Sequence, residues 1–337
     1  MITPPRLRAG DQVAVLSLSG GLPELFPHPF ELGLRRLRDV FGLVPVEYPT
    51  TRVLRSSHAD RARDLHAAWA DPEIKGVIST IGGEDQIKLL RHLDPELLRT
   101  NPKLFMGYSD NVNLLNYLFT LGVSGVHGGS VMVELGRGGA LDPLTEASWR
   151  AALFEGGEFE LTPARGFTDI SRDWAEPAHL ETEPDLLPGE GWTWDNADTV
   201  VEGRLWGGCL EILGWNLGVG AHLLDDYSGH VLFLETSEER PSATEVYRTL
   251  MLMGERGLLG QFAGVLVGRP RAGDLHSRVP EYVVEQRVAV RRALAEYAPG
   301  VPVVHNLDIG HTDPQQLLPY GGQVRIDGPA RRVTVRY

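Results

Sequence analysis

In FMGYSDNVNLLNYLF, residues 105–119, an apolar run of strand character stops at Ser109 and helical spacing begins at once, with Leu114, Leu115 and Leu118 on one face. A strand that ends in small residues and passes directly into a helix is the building unit of a parallel sheet covered by helices. Such a turn lifts the Ser109 hydroxyl to the carboxyl end of the strand. It stands beside a helix N-terminus whose free N–H groups favour negative charge. The Asp110 N–H, with one from the pair Gly82/Gly83 at the end of the neighbouring strand, forms a candidate oxyanion hole. The segment reads GYSDN and lacks the second glycine of the G-x-S-x-G elbow. Taken alone, it fits a plain helix cap at Ser109 or Asp110 at least as well.

The same alternation extends in both directions. VAVLSLSG (13–20) and GVISTIGG (76–83) are further strands ending in glycine turns, and Leu34, Leu37, Val40 and Phe41 recur at helical spacing between them, as do Ala62, Leu65, Ala68 and Trp69. From about residue 136 to 197 the pattern gives way to acidic, proline-rich and tryptophan-containing sequence, which reads as a linker or a long functional loop. Regular structure resumes with VVEGRLWGGCLEIL, HVLFLE, AGVLVG and VPVVHNLDIG, and QVRIDGPARRVTVRY closes the chain as a hairpin turning at Asp327–Pro329. The expected division is 1–160 for a first α/β domain, 161–200 for linker and substrate loop, and 201–337 for a second domain.

Bulk composition narrows the function. A net charge of −13 without a basic run argues against nucleic acid as a partner. The single cysteine, Cys209, excludes an internal disulfide framework and fits a reducing compartment. The opening MITPPRLRAGDQ lacks the apolar stretch of a signal peptide, and no segment reaches the roughly 20 apolar residues that cross a bilayer. A cytoplasmic protein without a membrane partner is expected.

A serine nucleophile needs a base, and the base needs an orienting acid. Two residues at strand ends in the second half qualify. His311 follows a glycine just past VPVVHNLDIG, and Glu235 ends the otherwise apolar HVLFLE, a costly place for a carboxylate without a partner. Each has a plainer reading, a loop histidine and a solvated strand end. Cys209 in WGGCLEIL sits at a strand-to-helix turn like a thiol nucleophile, yet an unpaired cysteine is usually a small buried hydrophobe. His305, Asp308, His311 and Asp313 have metal-like spacing but no helical H-E-x-x-H, and alternating strand residues face opposite ways, so no metal is expected. No G-x-G-x-x-G opens the first helix, so no dinucleotide cofactor is expected either.

Five segments in one order, IGGEDQIKLL, FMGYSDNVNLL, EGRLWGGCLEIL, LFLETSEERPSATEVYRTL and NLDIGHTDPQQLLPYGG, resemble the LD-carboxypeptidase family of serine peptidases, and within it the branch of microcin C self-immunity peptidases. The likeness runs from about Leu7 to the C-terminus, with one departure at VHGGSVM (126–132), where a proline is expected near Gly129. The resemblance implies an N-terminal Rossmann-like parallel-sheet domain and a C-terminal swivelling α/β domain with a β-barrel-like core, commonly as a homodimer. It also implies Ser109 as nucleophile, His311 as base and Glu235 as orienting acid, assembled from both domains without a cofactor. The implied substrate is a muropeptide or a peptidyl-nucleotide, with Trp192 or Trp194 in GEGWTWDN stacking on a nucleobase.

Overall fold

The apolar runs form the central strands, as their β-branched content requires. The computed structural model describes residues 1–337 and divides into two compact units, Met1–Gly156 with Asp173–Pro184, and Gly157–Arg172 with Asp185–Tyr337.

In the first unit β1 (Gln12–Leu16), β2 (Val44–Glu47), β3 (Ile74–Ser79), β4 (Leu104–Gly107) and β5 (Gly125–His127) run parallel in the spatial order β5-β4-β3-β1-β2. This is a doubly wound sheet, whose ligands bind beyond the carboxyl ends of the strands. Helices α1 (Pro27–Asp39), α2 (His58–Ala70), α3 (Pro95–Thr100), α4 (Val112–Thr120) and α5 (Pro143–Arg150) connect or follow the strands. Their starts are encoded locally. Ser57 accepts the Asp60 N–H at the head of α2, while Asp94 and Asp142 cap α3 and α5 just before a proline.

The second unit is built on an eight-stranded mixed sheet of order β6-β16-β15-β10-β11-β12-β13-β9. Its members are β6 (Glu158–Leu161), β9 (Thr193–Asp195), β10 (Val200–Cys209), β11 (His230–Glu235), β12 (Gly264–Gly268), β13 (Val303–Leu307), β15 (Gln323–Asp327) and β16 (Arg332–Arg336). The strands β10 to β13 are parallel, and β15 and β16 pair as the expected terminal hairpin. The short strands β7 (Gly166–Phe167) and β8 (Leu187–Pro188) pair with each other, and β14 (Leu318–Tyr320) packs against β10. Three helices complete the unit: α6 (Leu210–Val219), α7 (Ala243–Glu255), which opens on a Ser242/Glu245 capping box, and α8 (Glu281–Tyr297).

Residues 161–200, expected as a linker, carry β7, β8 and β9, and only 173–184 belongs with the first unit. The boundary therefore differs from the contiguous one drawn from composition. A chain that passes from one unit to the other and back leaves no compositional mark at each crossing.

Strands β10 and β11 approach so closely that only glycine fits at 207. Its φ is +150°, and an added Cβ would overlap the Phe233 carbonyl. Gly218 in α6 has no heavy atom within 4 Å of such a Cβ. Urea unfolding should therefore show Gly207→Ala losing about 3 kcal/mol and Gly218→Ala gaining about 0.5–1 kcal/mol; equal effects would contradict this packing.

Candidate active site

Ser109 follows β4 and begins the turn into α4 with φ +59°, a left-handed conformation that a serine adopts only at a cost of about 1 kcal/mol or more. The surrounding bonds hold it there. Asn111 donates to the Tyr108 carbonyl through both its backbone and its side-chain amide, at 3.1 Å each, and its Oδ1 accepts from Gln86 Nε2 at 2.8 Å. Gln86 Oε1 in turn accepts the Leu114 N–H in the first turn of α4.

The plain capping reading of this segment fails. Asp110 is fully buried, and its carboxylate accepts the backbone amides of Asp85 and Gln86 at 3.0 and 2.9 Å and Asn113 Nδ2 at 2.8 Å. It staples the IGGEDQ loop to the serine turn. Burial raises the Asp110 pKa against the opposing hydrogen bonds from that loop and Ser19. A Cβ on Gly82 would stand 2.9 Å from Ser109 Cβ and 3.4 Å from the Asp110 nitrogen, so this glycine lies directly against the serine. Gly83 instead packs on Ser19 and Gly20, and Gly20 N–H donates to the Gly82 carbonyl at 3.0 Å.

The second unit holds the other two expected residues, and it brings them together. Glu235 ends β11 at 2% exposure, and His311 Nδ1 donates to its Oε2 at 2.6 Å. Two glycines make the room. Gly310 has φ +84°, and a Cβ there would stand 2.5 Å from Glu235 Oε2, while one on Gly268 would press on Glu235 Cβ at 2.9 Å. With Nδ1 committed to Glu235, Nε2 is the ring nitrogen turned away from that carboxylate, and Glu238 Oε2 lies 3.2 Å from it.

Burial alone would pull the His311 pKa down. The charge and hydrogen bond of Glu235, with Glu238 and Glu211, outweigh it and raise the value to about 9. Glu211 opens α6, and its Oε1 accepts both the backbone N–H and the hydroxyl of Ser237 at 2.9 and 2.6 Å. Its own pKa is raised, by burial first and then by the charge of Glu235 against the Ser237 bonds. Cys209 is buried at the end of β10, opposite Glu235 in register. Burial and the charges of Glu235 and Glu211 hold its thiol well above its ordinary range, which suits a packed neutral group rather than a thiolate.

The four residues with metal-like spacing are dispersed onto separate partners. His305 bonds Asp195 at 2.9 Å, Asp308 pairs with Arg269 at 2.9 Å, His311 bonds Glu235, and Asp313 bridges to Thr168. Asp308 also accepts the Ala164 N–H at 2.9 Å and, at 3.4 Å, Trp192 Nε1. Trp192 is therefore tethered to the segment that leads into His311. Trp194 lies in β9 with its ring 6.4 Å from that of Trp192 and the Arg331 guanidinium 5.4 Å above it. Glu211 and Glu238 are not reached by the sequence reading, although the doubled acid of TSEE is a visible signal for Glu238, and Asp308 enters it only as a member of the metal-like set.

Comparison with known proteins agrees with this architecture. The LD-carboxypeptidase N-terminal domain matches residues 13–128 and the LD-carboxypeptidase C-terminal domain matches 202–326. The chain belongs to the LD-carboxypeptidase family. Among relatives, the probable murein peptide carboxypeptidase of Bacillus subtilis is 28% identical, covering 96% of this chain and 91% of its own. The microcin C7 self-immunity protein MccF of Escherichia coli is 25% identical over 82% of this chain and 78% of its own. A solved structure of MccF in complex with aspartyl sulfamoyl adenosine shares the fold with a TM-score of 0.86 at 24% identity, covering 100% of this chain and 99% of that one. No helix is long and apolar enough to cross a membrane.

Two outcomes follow from this geometry. Ser109→Gly relieves the left-handed strain and should raise unfolding free energy by about 1 kcal/mol in urea titrations; a loss of stability would show that the turn is not strained. The raised His311 pKa means that the folded state binds this proton more tightly than the unfolded chain, whose value is near 6.5. That stability is fully present below pH 6.5 and is lost as pH rises through about 9, by at most about 3 kcal/mol. Unfolding measured from pH 6 to 10 should show this decline, and His311→Asn should remove it.

Proposed function

We propose that the chain is a serine peptidase that hydrolyses an amide with Ser109 as nucleophile, His311 as general base and Glu235 as orienting acid. The observation that carries this reading is the buried Glu235–His311 bond of 2.6 Å, which orients the imidazole in a protein of a peptidase family. In the reaction His311 Nε2 takes the Ser109 hydroxyl proton as Oγ attacks the carbonyl. The resulting imidazolium is stabilised by Glu235 and returns the proton to the leaving amine. The amides of Asp110 and of Gly82 or Gly83, held by the Asp110 staple, donate to the oxyanion, and water releases the acyl group.

The substrate class we favour is a peptidyl-nucleotide or related aminoacyl-nucleotide. Support comes from the pair Trp192 and Trp194, whose flat faces suit a nucleobase, and from MccF, the relative solved with aspartyl sulfamoyl adenosine. A muropeptide cut beside a terminal carboxylate is the competing class, in keeping with the B. subtilis relative.

Release of amino acid from an aminoacyl sulfamoyl adenosine, assayed beside release of D-alanine from a muropeptide tetrapeptide, separates the two. Turnover of the nucleotide conjugate is expected to dominate. Ser109→Ala should lower kcat by about 10⁴-fold or more on whichever substrate is cut, with an unchanged circular dichroism spectrum. Retained turnover in that variant would refute the nucleophile assignment.

A further inference from the structure

His311 carries a carboxylate at each ring nitrogen. Besides Glu235 on Nδ1, Glu238 Oε2 lies 3.2 Å from Nε2. The two acids differ in kind: the Glu235 side chain is wholly buried, whereas that of Glu238 is 58% exposed and borders water. Nε2 is the nitrogen that has to accept the serine proton, so a carboxylate there competes with the hydroxyl for the same atom.

The position of Glu238 is built rather than accidental. Ser237 is clamped by Glu211 through two bonds, its Oγ accepts the Glu239 N–H at 3.2 Å, and its carbonyl accepts the Arg240 N–H at 3.2 Å. Arg240 closes the turn at φ +54° and is anchored to Asp274 at 2.9 Å. The backbone on both sides of Glu238 is thus held by hydrogen bonds, and its side chain is the exposed part of the turn. The charged and titratable groups around the ring are Glu235 from β11, Glu238 from this turn and Glu211 from α6, with the neutral Cys209 thiol at the end of β10.

We infer that Glu238 is a positioning residue that latches His311 from the Nε2 side, keeping the imidazole doubly protonated in the resting protein and swinging out when substrate enters. Before Ser109 can transfer its proton, the Nε2 proton must be given up to water as Glu238 departs. One proton leaves, a lone pair appears on Nε2, and the base becomes competent. This rests on the reading of His311 as base, but the latch itself is a property of the ring and its two acids.

The test compares the full-length wild type with Glu238→Gln, which keeps the size of an exposed side chain. His311 is titrated by nitrogen-resolved NMR, its signals assigned by their loss in His311→Asn, and kcat/KM is followed against pH. The latch predicts a lower His311 midpoint in Glu238→Gln. It also predicts kcat/KM at pH 7 roughly two- to fivefold higher, the size expected of a partly exposed ion pair, with the two profiles merging above the wild-type midpoint. An unchanged midpoint overturns the latch, whatever the activity does. A midpoint that falls while the acid limb of kcat/KM stays in place supports the latch and instead removes His311 from the role of base.

Discussion

The bond between His311 and Glu235 is the constraint on which the rest of the second unit is organised. A carboxylate at 2% exposure is tolerable only with a charged or strongly donating partner. The imidazole supplies that partner at 2.6 Å. Gly268 and Gly310 flank the pair because any larger residue would collide with the glutamate. Removing either partner strips the other of its shortest bond in a buried place, so the local fold and the proposed chemistry share one energetic requirement.

The first unit solves a different problem, which is to hold a serine in a conformation it does not prefer. The cost at φ +59° is met by a network in which Asp110, Asn111 and Gln86 bind one another and the loop after β3. The same network sets the amides near Ser109. Asp110 is thus less a cap for α4 than a fully buried clamp on the loop after β3.

Much of this was legible in the residues. β-branched runs ending in glycine marked the parallel strands, and the abrupt change of period at Ser109 marked the turn. An acid ending an apolar strand and a histidine after a glycine both need a reason, which marks Glu235 and His311. What the sequence could not reveal depends on long-range contact. The exchange of chain between units at 157–172 and 173–184 follows from packing, not composition. The grip of Glu211 on Ser237 joins residues 26 positions apart, and the tether of Trp192 to Asp308 spans 116. Local periodicity carries no trace of such pairs. Asp110 misled for a related reason: an aspartate at a helix start reads as a cap until the loop it binds is seen.

The central claim, that an acid-oriented imidazole makes Ser109 a nucleophile, is tested most directly by reacting the protein with a fluorophosphonate and locating the adduct by mass spectrometry in the wild type, His311→Ala and Glu235→Gln. The account predicts one adduct on Ser109 in the wild type, forming at least about a hundredfold more slowly in His311→Ala and at an intermediate rate in Glu235→Gln. An adduct on another residue, or a Ser109 rate indifferent to both substitutions, would contradict it.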